Sequence, residues 1–310
     1  MMLTSDINWL MNNASGNEGR LISFERCYFF TNIPSEKGYK NLETAHEQLF
    51  QGAMPPPQGD PAWPANGEIA LHQLAVRYRP GLPDVLKGIS LRIPSGTKVG
   101  VVGRTGAGKS TLLNCLYRYF DEYQGEVVLS GRELRTVDLK VLRSSMTILP
   151  QDPYLFADSV RNNLDPLGRH SDAAVEAILR EVDLWHKLDS GLATLIDSAG
   201  SNLSQGEKQL LCLARALLQD NHVVLMDEAT ANIDSQSEQT IQRLLRDRFS
   251  KATIFMIAHR LNTVLQCDRI LVLDAGKVLE YDTLEALKNN PNSRFSKLIN
   301  DHDEMHKSLS

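Results

Sequence analysis

The stretch "VGVVGRTGAGKSTLLNCL" constrains the fold of this chain more than any other. Gly103, Arg104, Thr105, Gly106, Ala107, Gly108, Lys109 and Ser110 spell G-x-x-x-x-G-K-[ST] between a short apolar run that reads as a strand and a run that reads as a helix. Glycines let successive backbone N–H groups curl round a phosphate, and the positive end of the following helix adds to the field. Lys109 is placed to reach β- and γ-phosphates, and Ser110 to offer a hydroxyl to Mg2+. Thr111 completes the loop's polar run.

The surrounding pattern agrees with a strand–loop–helix unit. "EIALHQLAVRYR" and "VLKGISLRI" alternate like strands, while "MTILP", "VVLMD", "TIFMIA" and "RILVLD" are short apolar runs separated by helical stretches such as "SEQTIQRLLRDRF". That alternation predicts an α/β fold with a mostly parallel sheet covered by helices. From about residue 158 to 218 the strand signals vanish and helical ones such as "DAAVEAILREVDLWHKL" replace them, so a helical insertion is expected there. Upstream, residues 1 to about 35 carry some helical apolar spacing (Ile7, Leu10, Met11), and "FQGAMPPPQGDPAWPANG" reads as an extended linker. The expected division is 1–66 for connection and linker, 67–157 with 219–310 for the core, and 158–218 for the insertion.

Composition excludes several classes. The 310 residues carry 33 basic and 38 acidic side chains, well interspersed, for a net charge of −5, which gives no field to attract nucleic acid. Cys27, Cys115, Cys212 and Cys267 are too widely spaced for a zinc site, and they read as reduced thiols. No run of about 18 apolar residues crosses a bilayer, and "MMLTSDINWL" lacks the pattern of a secretory signal.

A phosphate loop needs a second strand ending in a carboxylate, and "VVLMDE" supplies it. Asp227 can hold the magnesium shell, while Glu228 just beyond can orient or deprotonate the attacking water. A further stretch, "NLSQGEKQLLCLARALL", begins with a polar helix mouth suited to an anion, a second cradle a hundred residues after the first.

In this order the phosphate loop, "NLSQGEKQ" and "VVLMDEAT" resemble the nucleotide-binding domain of an ATP-binding cassette (ABC) transporter. "VGVVGRTGAGKST" and "LPQDPYLFADSVRNNLDP" are similar to the multidrug-resistance-associated export proteins of subfamily C. The resemblance runs from Gly67 to about Ile299. It implies a P-loop NTPase core of RecA-like type with an antiparallel β part and a helical signature subdomain. It also implies ATP hydrolysis with Mg2+, coupling to transmembrane domains, and a place at the cytoplasmic face of a membrane. "INWLMNNASGNEGRLISFERCYFFTNIPSE" looks like the segment joining the last transmembrane helix to the second cassette of such exporters; the membrane part itself is expected elsewhere in a longer chain or in a separate polypeptide.

Carried over by position, the resemblance gives Tyr78 the role of stacking on adenine and Gln151 that of touching Mg2+ and the water. It makes His259 the switch histidine at the γ-phosphate and places Asp234 in the loop that crosses to a partner cassette. Ser204, Gln205, Gly206 and Glu207 fall in the signature, which in this family closes over ATP bound to another cassette, so two cassettes pair head to tail. Gln205 stands where the family has its first Gly and Glu207 where it has Gln. Glu207 suits the helix dipole but opposes a phosphate, so a signature that binds ATP and supports hydrolysis poorly is expected. A regulatory cassette with little turnover and a soluble ABC ATPase are the alternative readings; a small-molecule P-loop kinase is excluded by the signature helix.

Overall fold

The structure, a computed structural model, describes residues 17, 20–31, 63–79, 81–120, 122–227, 233–257 and 261–300. The chain falls into two compact units, Met1–Pro55 and Pro56–Ser310. In the first, residues 20–31 form a helix with exposed side chains, Phe24 stacked on Tyr28 at 6.4 Å. Ile7, Leu10 and Met11 lie outside the described residues, as does the linker sequence up to residue 62.

The second unit is built on two sheets. Strands β1 (Ile69–Val76), β2 (Leu86–Ile93), β4 (Tyr123–Leu129) and β5 (Arg132–Glu133) pair antiparallel in the order β2-β1-β4-β5. Strands β3 (Lys98–Val102), β6 (Met146–Leu149), β7 (Val223–Asp227), β8 (Thr253–Ile257), β9 (Arg269–Asp274) and β10 (Lys277–Thr283) form the other, in the order β10-β9-β3-β8-β7-β6. All its pairs are parallel except the β9–β10 hairpin.

The central strands are apolar except at one end because both faces are covered. Successive side chains point to opposite faces. Val224, Met226, Ile254 and Met256 belong to the core shared with the helical region, whereas Val223, Leu225, Phe255 and Ile257 belong to the core shared with the antiparallel sheet. The six-stranded sheet is thus the partition between two apolar cores.

Helices α1 (Lys109–Leu116), α2 (Leu139–Ser144), α3 (Val160–Leu164), α4 (Asp172–Glu181), α5 (Gln205–Gln219), α6 (Ser235–Asp247), α7 (Leu261–Val264) and α8 (Leu284–Asn289) complete the unit. Between residues 158 and 218 lie α3, α4, three short 3-10 turns and most of α5, with one isolated bridge, Ser159 to Leu195. Serine caps start these helices: Ser159 accepts from Asn162 N, and Ser171 from Ala174 N. Leu210, Leu211, Leu213, Ala214 and Leu217 bury one side of α5.

Trp63 lies near the end of the stretch read as a linker. Its Pro- and Gly-rich surroundings predict an extended segment, yet its side chain is 8% exposed and its indole N–H donates to Leu129 O at 3.2 Å. The Arg132 guanidinium lies 6.0 Å from the ring centroid, and Ala65 N donates to Ser130 Oγ. A large aromatic body outweighs the local Pro signal where a sheet offers it a face. Among the described residues no helix is long and apolar enough to cross a membrane.

Candidate functional site

Parallel strands all end at one edge of their sheet, and ligands of α/β folds bind beyond that edge. Here the phosphate loop follows β3, Gln151 follows β6, and Asp227 ends β7. With β8 between β3 and β7 in the sheet order, residues far apart in sequence become neighbours. Ser110 Oγ donates to Asp227 Oδ1 at 3.4 Å across 117 residues of sequence. Two hard oxygen donors at the phosphate-loop edge suit a Mg2+ ion.

The loop from Gly103 to Gly108 is held in shape from within. Ala107 N donates to Arg104 O at 3.0 Å, and the Lys109 ammonium donates to Gly103 O at 2.8 Å and Arg104 O at 3.2 Å. Lys109 is 8% exposed, and its buried amine is met by these loop carbonyls. Gly108 caps α1 with φ +101, and a Cβ there would lie 2.7 Å from Leu86 Cδ2. The backbone region calls for glycine at that position, and a Cβ would also push on the Leu86 side chain. Thr105 and Gly106 complete the loop, with Gly106 also at positive φ.

Tyr78 follows β1, 53% exposed, beside the start of α1. Its hydroxyl and Thr111 Oγ1 share a hydrogen bond of 2.9 Å, and its ring meets Phe120 edge-on at 5.2 Å. An aromatic ring therefore stands one bond away from the phosphate-loop helix. Glu228 and His259 lie outside the described residues; β7 and β8, the strands that lead into them, end at the same sheet edge.

The signature residues start α5. Ser204 is its N-cap: Ser204 Oγ accepts from Glu207 N at 3.3 Å, while Glu207 Oε2 accepts from Ser204 N at 2.8 Å. This is a capping box, and the spacing S-x-x-E that produces it is legible in the sequence. The charge of Glu207 does not stand alone. Its Oε1 accepts from Lys187 Nζ at 2.9 Å. Burial pushes the Glu207 carboxyl up, but Lys187 and the Ser204 N–H outweigh it and hold the carboxyl below the usual range. Gln205 is the first helical residue. Gly206 faces α6, where a Cβ would meet Asp234 Oδ2 at 2.5 Å and Ser237 Oγ at 2.6 Å.

Asp234 is itself the N-cap of α6, accepting from Ser237 N at 2.9 Å and Ser237 Oγ at 2.7 Å. These bonds hold its carboxyl below the ordinary range. Gln151 is exposed in its side chain, but its carbonyl is gripped from below. The Gln209 amide of α5, 1% exposed, donates to both Pro150 O at 3.1 Å and Gln151 O at 2.9 Å. Neither Gln209 nor Lys187 was singled out by the sequence, although Gln209 lies inside the signature stretch. Among the described residues no group of three or more His, Cys, Asp or Glu forms a metal site.

A phosphate loop between a central parallel strand and its helix, with a hydroxyl–carboxylate pair at the same edge and a helical insertion, defines a P-loop NTPase. Residues 86–231 match the family model described as ABC transporter. The chain is 41% identical over 299 residues to ATP-binding cassette sub-family C member 2 of Rattus norvegicus, covering 94% of this chain and 18% of that protein. It is 40% identical to multidrug resistance protein mrp-7 of Caenorhabditis elegans, covering 98% and 19%, and 39% identical to ABC transporter C family member 3 of Dictyostelium discoideum, covering 96% and 20%. The chain spans about a fifth of the length of these relatives. Residues 86–231 thus carry an ATP-binding cassette domain of the ABC transporter family, and the chain is similar to subfamily C members.

Proposed function

We propose that the chain is the second cassette of a subfamily C exporter, which hydrolyses ATP at the cytoplasmic face of a membrane and drives transport by transmembrane domains. It pairs head to tail with another cassette. The observation that carries this reading is the approach of Ser110 to Asp227 at the end of the parallel sheet, beside the phosphate loop, together with a capped signature helix.

In this reading the ring of Tyr78 stacks on adenine and the backbone of residues 103–108 wraps the phosphates. Lys109 leaves its loop carbonyls for the β- and γ-phosphates. Ser110, Asp227 and Gln151 would hold Mg2+, which supplies charge neutralisation as the phosphoryl group departs. Glu228 orients and deprotonates water, and His259 contacts the γ-phosphate. Ser204 to Glu207 and the Asp234 loop face the partner's nucleotide. Support comes from the order of the motifs, from their assembly at one sheet edge, and from the names borne by the relatives.

Replacing Glu228 with Gln keeps shape and reach but removes the base. Binding of ATP should persist while hydrolysis falls by about 10²-fold or more, and Lys109→Ala should instead lose binding. A Glu228→Gln protein that turns over ATP at the parent rate refutes the assignment.

A further inference from the structure

Signature residue Glu207 poses a problem of charge. A carboxylate in the first turn of α5 would face the γ-phosphate of a partner's nucleotide, and two anions brought together at a closing interface repel more strongly as water leaves it. The structure answers with Lys187, which belongs to the 3-10 turn Trp185–Lys187 after α4. Its ammonium lies 2.9 Å from Glu207 Oε1, and the other carboxylate oxygen is taken by Ser204 N. Both oxygens of Glu207 thus have partners within the chain.

We propose that Lys187 is a positioning residue of the signature: it cancels the charge of Glu207, and by doing so lets α5 close over a nucleotide held by the partner cassette. The idea rests on the pairing reading above.

Three observations favour this role over a purely structural one. The pair is half-exposed on the lysine side, 46% against 19% for Glu207, and ion pairs of that kind add little to folding stability. Glu207 dominates the electrostatics of Lys187, and the charges of Asp234, the α6 cap, and Asp183 act on it in the same direction. Finally, the capping box fixes the Glu207 side chain in position, so the carboxylate cannot swing away from the mouth of the helix without giving up Ser204 N.

The test is a double-mutant cycle on the 310-residue chain, with a second copy standing in for the partner cassette. Self-association is measured by analytical ultracentrifugation in saturating Mg-ATPγS for the parent, Lys187→Met, Glu207→Gln and the double variant. Lys187→Met keeps the apolar stem and removes the charge. It should weaken nucleotide-dependent pairing by about tenfold or more, or ~1.4 kcal/mol. Glu207→Gln and the double variant should stay within about threefold of the parent, since no charge is left to cancel. Binding of a fluorescent ATP analogue by the monomer should be the same in all four. Lys187→Met pairing as tightly as the parent overturns the proposal, and so does an equal loss in both backgrounds, which would make Lys187 a direct phosphate ligand or a scaffold residue. A parent chain that stays monomeric with nucleotide overturns the pairing reading itself, and this inference with it.

Discussion

Gln209 joins two parts of the site that the sequence treats as separate. One amide, fully buried on α5, donates to the carbonyls of Pro150 and Gln151. Gln209→Met keeps the length and volume of the side chain and removes both donors. Each hydrogen bond is worth about 1 kcal/mol net, so roughly 2 kcal/mol of stability is lost if nothing compensates. Two terms compensate. Gln209 Oε1 has no hydrogen-bond partner among the described residues, and removing a buried acceptor of that kind returns about 1–3 kcal/mol. Gln151 is exposed and Pro150 half-buried, so water can reach the freed carbonyls. Unfolding stability should therefore stay within about 1 kcal/mol of the parent. The loop bearing Gln151 meanwhile loses its anchor, and misplacement of a reacting group by 1 Å costs about 10²-fold in rate. Urea denaturation, steady-state ATP hydrolysis and nucleotide binding together decide the matter: stability and binding near parental, kcat down by about tenfold or more. A parental kcat refutes the anchoring role, and a stability loss above about 3 kcal/mol refutes the bookkeeping.

Three other perturbations have defined outcomes. Tyr78→Ala should weaken ATP binding by about 1–3 kcal/mol, while Tyr78→Phe, which loses only the bond to Thr111, should bind almost as the parent does; equal affinities in all three would make Tyr78 an ordinary strand-end residue. Trp63→Ala should cost about 3–5 kcal/mol in denaturant unfolding, whereas a true linker residue would cost nothing measurable. Glu207 is held below its ordinary titration range in the folded chain by Lys187 and the Ser204 N–H, so the stabilisation they give its carboxylate is complete above that range and is lost as pH falls through the lowered folded value. Melting curves of parent and Glu207→Gln should accordingly differ at neutral pH and converge in acid; a gap that is constant with pH rules out the carboxylate as its source.

Much of the fold was legible because buried parallel strands leave an unmistakable trace. "KVGVV", "VVLMD" and "TIFMI" carry unbroken runs of four or more buried residues since both faces are covered, with a polar residue only at one end of each strand. The phosphate loop was legible for a different reason: its glycines and lysine answer to backbone geometry and charge within eight consecutive residues. What could not be read were contacts between distant segments. Lys187 is a solvent-side lysine in any local window, and only the fold brings it to Glu207. Around Trp63, Pro and Gly on either side dominate a local reading, while the carbonyl that its indole N–H meets lies more than sixty positions away. The meaning of Gln209 likewise depends on carbonyls nearly sixty residues upstream.

The order of strands in the parallel sheet also bears on how the chain acquires its site during synthesis. β3, which delivers the phosphate loop, has both its neighbours in the C-terminal part of the chain: Lys98 pairs with Ile254 and Val99 with Arg269. Until those residues leave the ribosome, a mostly apolar strand has unpaired edges on both sides, a state open to wrong pairings. Closing loops of that length before any sheet contact rewards them makes such pairing intrinsically slow. Nucleotide cannot rescue an early intermediate, because Ser110 and Asp227 meet only after β8 has entered between β3 and β7. ATP in the cell can therefore shift only the last equilibrium, by mass action on the finished sheet. A chain cut short before β9 would carry every residue of the phosphate loop and still lack the strand that holds its far side.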